Sequence, residues 1–240
     1  MAATNNTNKK GLEMNRVYFV RHGEGQDNIA RQFSYKRVDR SLTERGRLQA
    51  RQTAEYLAGL HIDQIFCSSM KRAYETAQII AKRLDKELTV LEEFREVNIG
   101  NLDGQDFNKE TWGIYHDITN AWYAGNSHVA YPGGEDYVTP WERAQIGFKK
   151  VIDGHSNCRF VIVGHGGIFT STLRDLCPGL EISWLQNVEY YHCAITELEM
   201  EIVHGELRAR IVDWANYHHM SGEAITKAAA IPPFASIKRI

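Results

Sequence analysis

Hydrophobic residues fall along this chain in short blocks with two kinds of spacing. Val17-Tyr18-Phe19-Val20 and Phe160-Val161-Ile162-Val163 are unbroken runs of β-formers, which predicts strands buried on both faces. Runs over 62–67 and 88–91 predict two more. Between them apolar positions recur at helical spacing. Leu48, Ala54, Leu57 and Ala58 predict a helix opened by Thr43 as N-cap and closed at Gly59. Ala73, Ala77, Ile80 and Leu84 predict a second, capped by Ser68-Ser69. Segments 137–152 and 168–176 predict two further helices, Pro140 being tolerable only in a first turn. Two antiparallel strands are expected over 189–199 and 207–214. Residues 24–41 read as a polar stretch and 94–104 as irregular. Residues 105–135 carry Trp112, Tyr115, Trp122 and Tyr123, and read as a helical excursion that covers something.

Strands alternating with helices imply an α/β fold, a three-layer α/β/α sandwich around a mostly parallel sheet. The expected organisation is a disordered polar tail over 1–15, a single domain over 16–221, and a loosely ordered tail over 222–240. A net charge of -2 with scattered basic residues gives no reason to expect nucleic-acid or membrane partners. Cys67, Cys158, Cys177 and Cys193 show no CxxC pairing, and Cys67 and Cys193 sit in apolar runs as buried thiols. A reduced, cytoplasmic setting follows.

Chemistry concentrates at two predicted strand ends, Arg21-His22-Gly23-Glu24 and Gly164-His165-Gly166-Gly167. In open α/β sheets, ligands bind beyond the carboxyl ends of strands. Arginine beside a histidine points to an anion, most simply a phosphate, gripped by the planar guanidinium fork. Asn28 could add an amide donor, and Arg72 falls in the first turn of a helix near the same sheet edge. Each residue alone also suits a plain strand-end turn or a solvated helix face. Two histidines at one sheet edge could also bind zinc, but the obvious neighbours are arginines, and cations near a metal are unfavourable. Cleaving a phosphate ester requires a proton donor, for which Glu24, Glu92, Glu93, Glu96, Asp103 and Glu135 are all candidates by position.

Taken in order, these segments resemble the histidine phosphatase superfamily, the phosphoglycerate mutase-like proteins. The resemblance spans roughly residues 16–220. It is carried by Val20-Arg21-His22-Gly23-Glu24 with Asn28, Leu42-Thr43-Glu44-Arg45-Gly46, and Ser68-Ser69-Met70-Lys71-Arg72-Ala73 with Thr76-Ala77. Arg95-Glu96-Val97-Asn98-Ile99-Gly100 running to Asp103-Gly104, Pro132-Gly133-Gly134-Glu135 and Val163-Gly164-His165-Gly166-Gly167 complete it. It implies that His22 is a nucleophile forming a phosphohistidine. It also implies a phosphate pocket of Arg21, Arg72 and His165 assisted by Asn28, with Glu96 as general acid. No metal or other cofactor is implied.

Two departures stand out. Leu102-Asp103-Gly104 replaces the family's frequent Trp-Glu-Gly, and the loop near Phe33-Ser34-Tyr35-Lys36 lacks its frequent glycine. Both are expected to affect the substrate side rather than the phosphate side. Mutases of the family resemble one another in a longer, more basic insertion after the acid segment, whereas 104–132 offers only Lys109 as a firm positive charge. The expected activity is that of a histidine acid-type phosphatase acting on a small phosphorylated metabolite. A cofactor-dependent phosphoglycerate mutase is the alternative, and a non-catalytic phosphate-binding protein a third reading. A homodimer is compatible with the antiparallel edge strands.

Overall fold

Alternate residues of the strand Asn15–Arg21 (β1) enter opposite hydrophobic layers: Val17 and Phe19 join one buried cluster, Tyr18 and Val20 the other. The neighbouring strand Arg159–Gly164 (β4) divides in the same way, with Phe160 and Ile162 on one side and Val161 and Val163 on the other. Burial on both faces is what an unbroken apolar run requires of a central strand. The computed structural model describes residues 14–181 and 190–225.

The remaining strands are β2 (Gln64–Cys67), β3 (Leu88–Val90), β5 (Ile195–Val203) and β6 (Glu206–Asn216). The helices are α1 (Gln26–Ala30), α2 (Glu44–Ala58), α3 (Lys71–Leu84), α4 (Lys109–Tyr123), α5 (Val138–Ile152) and α6 (Gly166–Leu176). The sheet runs β3-β2-β4-β1-β5-β6. β3, β2, β4 and β1 are mutually parallel, while β5 pairs antiparallel with both β1 and β6. Ala54 and Leu57 of α2 and Ala73, Ala77 and Ile80 of α3 cover the face of Tyr18 and Val20. Phe148 and Val151 of α5 with Phe169 and Leu173 of α6 cover the other, joined by Trp112 and Trp122 of α4. The three-layer α/β/α architecture expected from the alternation is therefore present.

The β1–β4 register places Arg21 opposite Gly164, so the residues that follow, His22 and His165, leave the sheet side by side. His22 N–H still donates to Gly164 O (2.9 Å). The Thr43-Glu44-Arg45-Gly46 segment braces this exit. Thr43 caps α2, accepting from Gly46 N (2.9 Å) and donating to the buried Glu24 carboxylate (2.7 Å), which Arg45 also grips. Gly46 packs directly on the Glu24 backbone: a Cβ there would lie 2.1 Å from Glu24 O.

Several boundaries differ from the sequence reading. The polar 24–41 stretch contains the five-residue helix α1, too short and polar to show a periodic stripe. α3 is not capped by Ser68-Ser69: its N-cap is Met70, with no side-chain cap, and Ser68 accepts from Met70 N instead (3.2 Å). β5 begins at Ile195 rather than 189, because Cys193 takes a left-handed φ of 57° that interrupts extended chain. Residue 189 itself lies outside the described residues. β1 already includes Asn15, and 222–225 is no loose tail. Gly222–Ile225 forms a 3₁₀ turn that buries Ala224, whose carbonyl accepts from Gln49 Nε2 (3.0 Å). The rest of both expected tails lies outside the described residues. Among the described residues, no helix is long and apolar enough to cross a membrane.

Candidate active site

His22 is buried, and its Nδ1 lies 2.7 Å from Gly23 O. A carbonyl only accepts, so the neutral ring carries its hydrogen on Nδ1 and its lone pair on Nε2. Arg72 Nε donates to that Nε2 (3.0 Å). Burial holds the His22 pKa well below the ordinary histidine value, and Arg72, His165 and Arg21 add to the effect. The ring is therefore neutral at physiological pH, as a nucleophile must be.

Arg72 is the second residue of α3, and Ser34 fixes the rest of its fork. Nη1 donates to Ser34 Oγ (2.8 Å) and Nη2 to Ser34 O (3.3 Å), with the buried Asp27 carboxylate 3.9 Å from Nη1. Arg21, also buried, donates to Tyr190 O through Nη1 and to His192 Nε2 through Nη2 (3.2 Å). Its Nε has no hydrogen-bond partner.

His165 is the N-cap of α6 and is fully buried, its ring centroid 5.2 Å from that of His22. Its Nε2 lies 2.8 Å from Ser68 Oγ, whereas Nδ1 is buried with no partner. When the Ser68 hydroxyl donates to His165 Nε2, the ring hydrogen lies on Nδ1, which then faces the site as a donor. Burial, then Arg72, hold this ring too well below the usual value.

Glu96 alone among the six candidate acids lines the cavity. Its Oε1 accepts from Val97 N (2.9 Å) and Ile168 N (2.7 Å), and its Oε2 from Gly167 N (3.0 Å). The carboxylate thus sits on the N-terminal N–H groups of α6, where the helix dipole favours negative charge. Arg143 fixes the chain around it, donating to Arg95 O (2.6 Å) and Glu96 O (2.9 Å). The other carboxylates are occupied elsewhere. Glu24 pairs with Arg45, Glu92 with Arg95, Glu93 with Lys150, and Glu135 with Arg143. Asp103 accepts from the backbone N–H groups of Tyr35, Lys36 and Arg37.

The glycines around His165 serve space rather than unusual backbone angles, since none of the three has positive φ. A Cβ on Gly164 would meet the Phe169 ring at 2.6 Å, and one on Gly167 would meet Glu96 Oε1 at 2.6 Å. Asn28 lines the same cavity; its Oδ1 accepts from Gly25 N (2.8 Å), which leaves the amide Nδ2 as the donor available there.

The structure therefore brings together Arg21, His22, Asn28, Arg72, Glu96 and His165. It adds three residues that the sequence reading missed as site members. His192, buried with its ring centroid 5.6 Å from that of His22, lay hidden inside a segment read as strand. Ser34 and Ser68 act by touching Arg72 and His165, which local sequence does not reveal. Asp103 was expected to matter on the substrate side. In the structure its carboxylate pins the backbone of residues 35–37, next to the Ser34 that accepts from Arg72. Among the described residues, no cluster of His, Cys, Asp or Glu is placed to hold a metal ion.

Two buried, neutral histidines and two buried guanidiniums thus stand together where the parallel strands β1, β2 and β4 end, in a pocket whose fixed cations suit an anion. The chain belongs to the histidine phosphatase superfamily (branch 1), whose family model matches residues 17–213. It is 32% identical over 165 residues to phosphoglycerate mutase-like protein 4 of Arabidopsis thaliana, covering 68% of this chain and 71% of that one. It is 28% identical over 209 residues to a Bacillus subtilis protein named uncharacterized phosphatase PhoE, covering 87% and 98%. In fold it is similar to the mycobacterial glucosyl-3-phosphoglycerate phosphatase solved with VO3, with a TM-score of 0.68 at 24% identity over 83% of this chain and 98% of that one. Bacillus stearothermophilus YhfR gives a TM-score of 0.69 at 23% identity, covering 85% and 98%.

Proposed function

We propose that the protein is a metal-independent phosphomonoesterase that works through a phosphohistidine on His22. The carrying observation is the His22 tautomer: Nδ1–H is committed to Gly23 O, so the Nε2 lone pair stands beside the guanidinium of Arg72. Two buried nitrogens without partners, Arg21 Nε and His165 Nδ1, supply further donors for phosphoryl oxygens. Leaving a buried donor unsatisfied costs about 1–3 kcal/mol, which a bound anion relieves.

In the first step His22 Nε2 attacks phosphorus, the P–O(ester) bond breaks, and Glu96 gives its proton to the departing oxygen. The alcohol leaves. In the second, Glu96 takes a proton from water as that water attacks phosphorus, the P–N bond breaks, and inorganic phosphate and free His22 result. Arg21, Arg72 and His165 hold the phosphoryl oxygens throughout, stabilising charge as it spreads over them. Asn28 adds an amide.

Hydrolysis is favoured over a mutase reaction by the cavity wall. Beyond Arg21 and Arg72, no Lys or Arg lines it among the described residues, so a carboxylate on the substrate meets no cation. The test is release of phosphate from p-nitrophenyl phosphate in EDTA, together with alkaline quench and mass spectrometry of the His22 peptide. Turnover and an 80-dalton adduct, both abolished in His22→Ala, are expected. Turnover that survives His22→Ala, or interconversion of phosphoglycerates outrunning hydrolysis of every ester, overturns the reading.

A further inference from the structure

Besides its polar groups, the cavity is lined by rings and aliphatic chains: Phe33, Phe107, Trp112 and Tyr115, with Val97 and Ile99. The four rings pack on one another as one cluster. Phe33 lies 4.7 Å from Phe107, 5.1 Å from Trp112 and 5.7 Å from Tyr115 between centroids, and Trp112 meets Tyr115 edge-on at 5.3 Å. Phe33 and Trp112 are fixed in the hydrophobic core, so this wall is preformed.

Charge is excluded from the same wall. Beyond Arg21 and Arg72 no Lys or Arg lines the cavity among the described residues; Arg40, which does not line it, donates to the lining residue Gln32 at Oε1 (3.0 Å). Gln32 in turn donates to Asp106 (3.0 Å).

We propose, resting on the phosphomonoesterase reading, that the alcohol esterified to phosphate is uncharged and carries an aromatic ring, or an apolar face of similar breadth, that packs against this cluster. A substrate ring laid against the cluster gains aromatic contact as well as apolar burial. Esters whose alcohol bears a carboxylate or a second phosphate are disfavoured substrates.

The leaving group must be held constant to test this, so benzyl phosphate is compared with glycerol 3-phosphate and 3-phosphoglycerate, all esters of alkyl alcohols, in EDTA. Burying a ring predicts kcat/KM for benzyl phosphate about 10- to 100-fold above the other two. Gln32→Lys, which adds a cation to the wall, should raise kcat/KM for 3-phosphoglycerate several-fold and leave benzyl phosphate behind. Phe107→Ala, at a half-buried position where folding is least at risk, should erode the benzyl preference while inorganic phosphate inhibits as before. Turnover of 3-phosphoglycerate equal to or above that of benzyl phosphate in wild type overturns the proposal. Calorimetry with two stable phosphonates separates this from the catalytic reading. Benzylphosphonate binding at least 10-fold tighter than 3-phosphonopropionate supports the apolar wall even in a protein that turns nothing over, and the reverse order refutes it.

Discussion

Arg72 Nε donates to His22 Nε2 across 3.0 Å, so in the free protein a guanidinium occupies the lone pair that the proposed attack uses. An arriving phosphoryl group must draw that donor onto its own oxygen, which frees Nε2 as it binds. Ser34 holds the other end of the fork, so the guanidinium can make this exchange without leaving the site.

Arg72→Lys keeps the charge but loses the fork and the Ser34 anchor. Inhibition by inorganic phosphate should weaken about 10- to 100-fold, as the loss of one or two charge-assisted hydrogen bonds implies. The His22 adduct should fall below detection under single-turnover conditions. A phosphate inhibition constant equal to wild type would remove Arg72 from the proposed pocket.

What the sequence made legible and what it hid follow the range of the interactions. The strand ends, Arg21-His22-Gly23 and His165, were readable because a β-former run meeting glycine is a local signal. The layers were readable because buried strands and amphipathic helices alternate. Glu96 was not separable from five other carboxylates, since what singles it out is the start of α6, 71 residues away. His192 and Ser34 were hidden for the same reason: each matters only through an arginine contributed by another strand end. The short helix α1 and the Cys193 turn were missed because neither leaves a periodic trace.

Gly167 tests the position of Glu96. A Cβ there would stand 2.6 Å from Glu96 Oε1, so Gly167→Ala must push the carboxylate off the α6 N-terminus. Displacing a proton donor by about an ångström costs about 100-fold in rate. That loss should appear in kcat for benzyl phosphate, whose leaving oxygen needs the proton. p-Nitrophenyl phosphate, whose leaving group does not, should slow far less. Equal slowing of the two esters would mean that Glu96 does not deliver the proton.

Asp103 connects the loop to the phosphate grip. Its carboxylate accepts from Tyr35 N (2.9 Å), Lys36 N (2.8 Å) and Arg37 N (2.6 Å), fixing the turn that presents Ser34 to Arg72. Asp103→Ala removes an ionised acceptor from three N–H groups and should cost about 2–3 kcal/mol in urea unfolding. The phosphate inhibition constant should rise several-fold with it. Asp103→Ala that loses stability but keeps phosphate inhibition at the wild-type level would confine the residue to a structural part.

The buried histidines set a pH dependence whose sign is determined. Burial, ahead of the arginines, holds His22, His165 and His192 well below the usual histidine value of 6.5. As pH falls through about 6.5 the unfolded chain takes up protons at these rings while the native protein does not. Stability is then lost as pH falls and is fully present above that range. Each such ring costs on the order of 1 kcal/mol between pH 7.5 and 5.5, so the three together should cost a few kcal/mol. His219, pushed down to about 4 by burial, adds in the same direction. His192→Asn keeps an acceptor for Arg21 but cannot titrate, so its loss over the same interval should be smaller, by on the order of 1 kcal/mol. Urea unfolding of the ligand-free protein at the two pH values measures both. Equal stability at pH 7.5 and 5.5 would show that the rings take up protons in the native state, and would contradict a neutral His22.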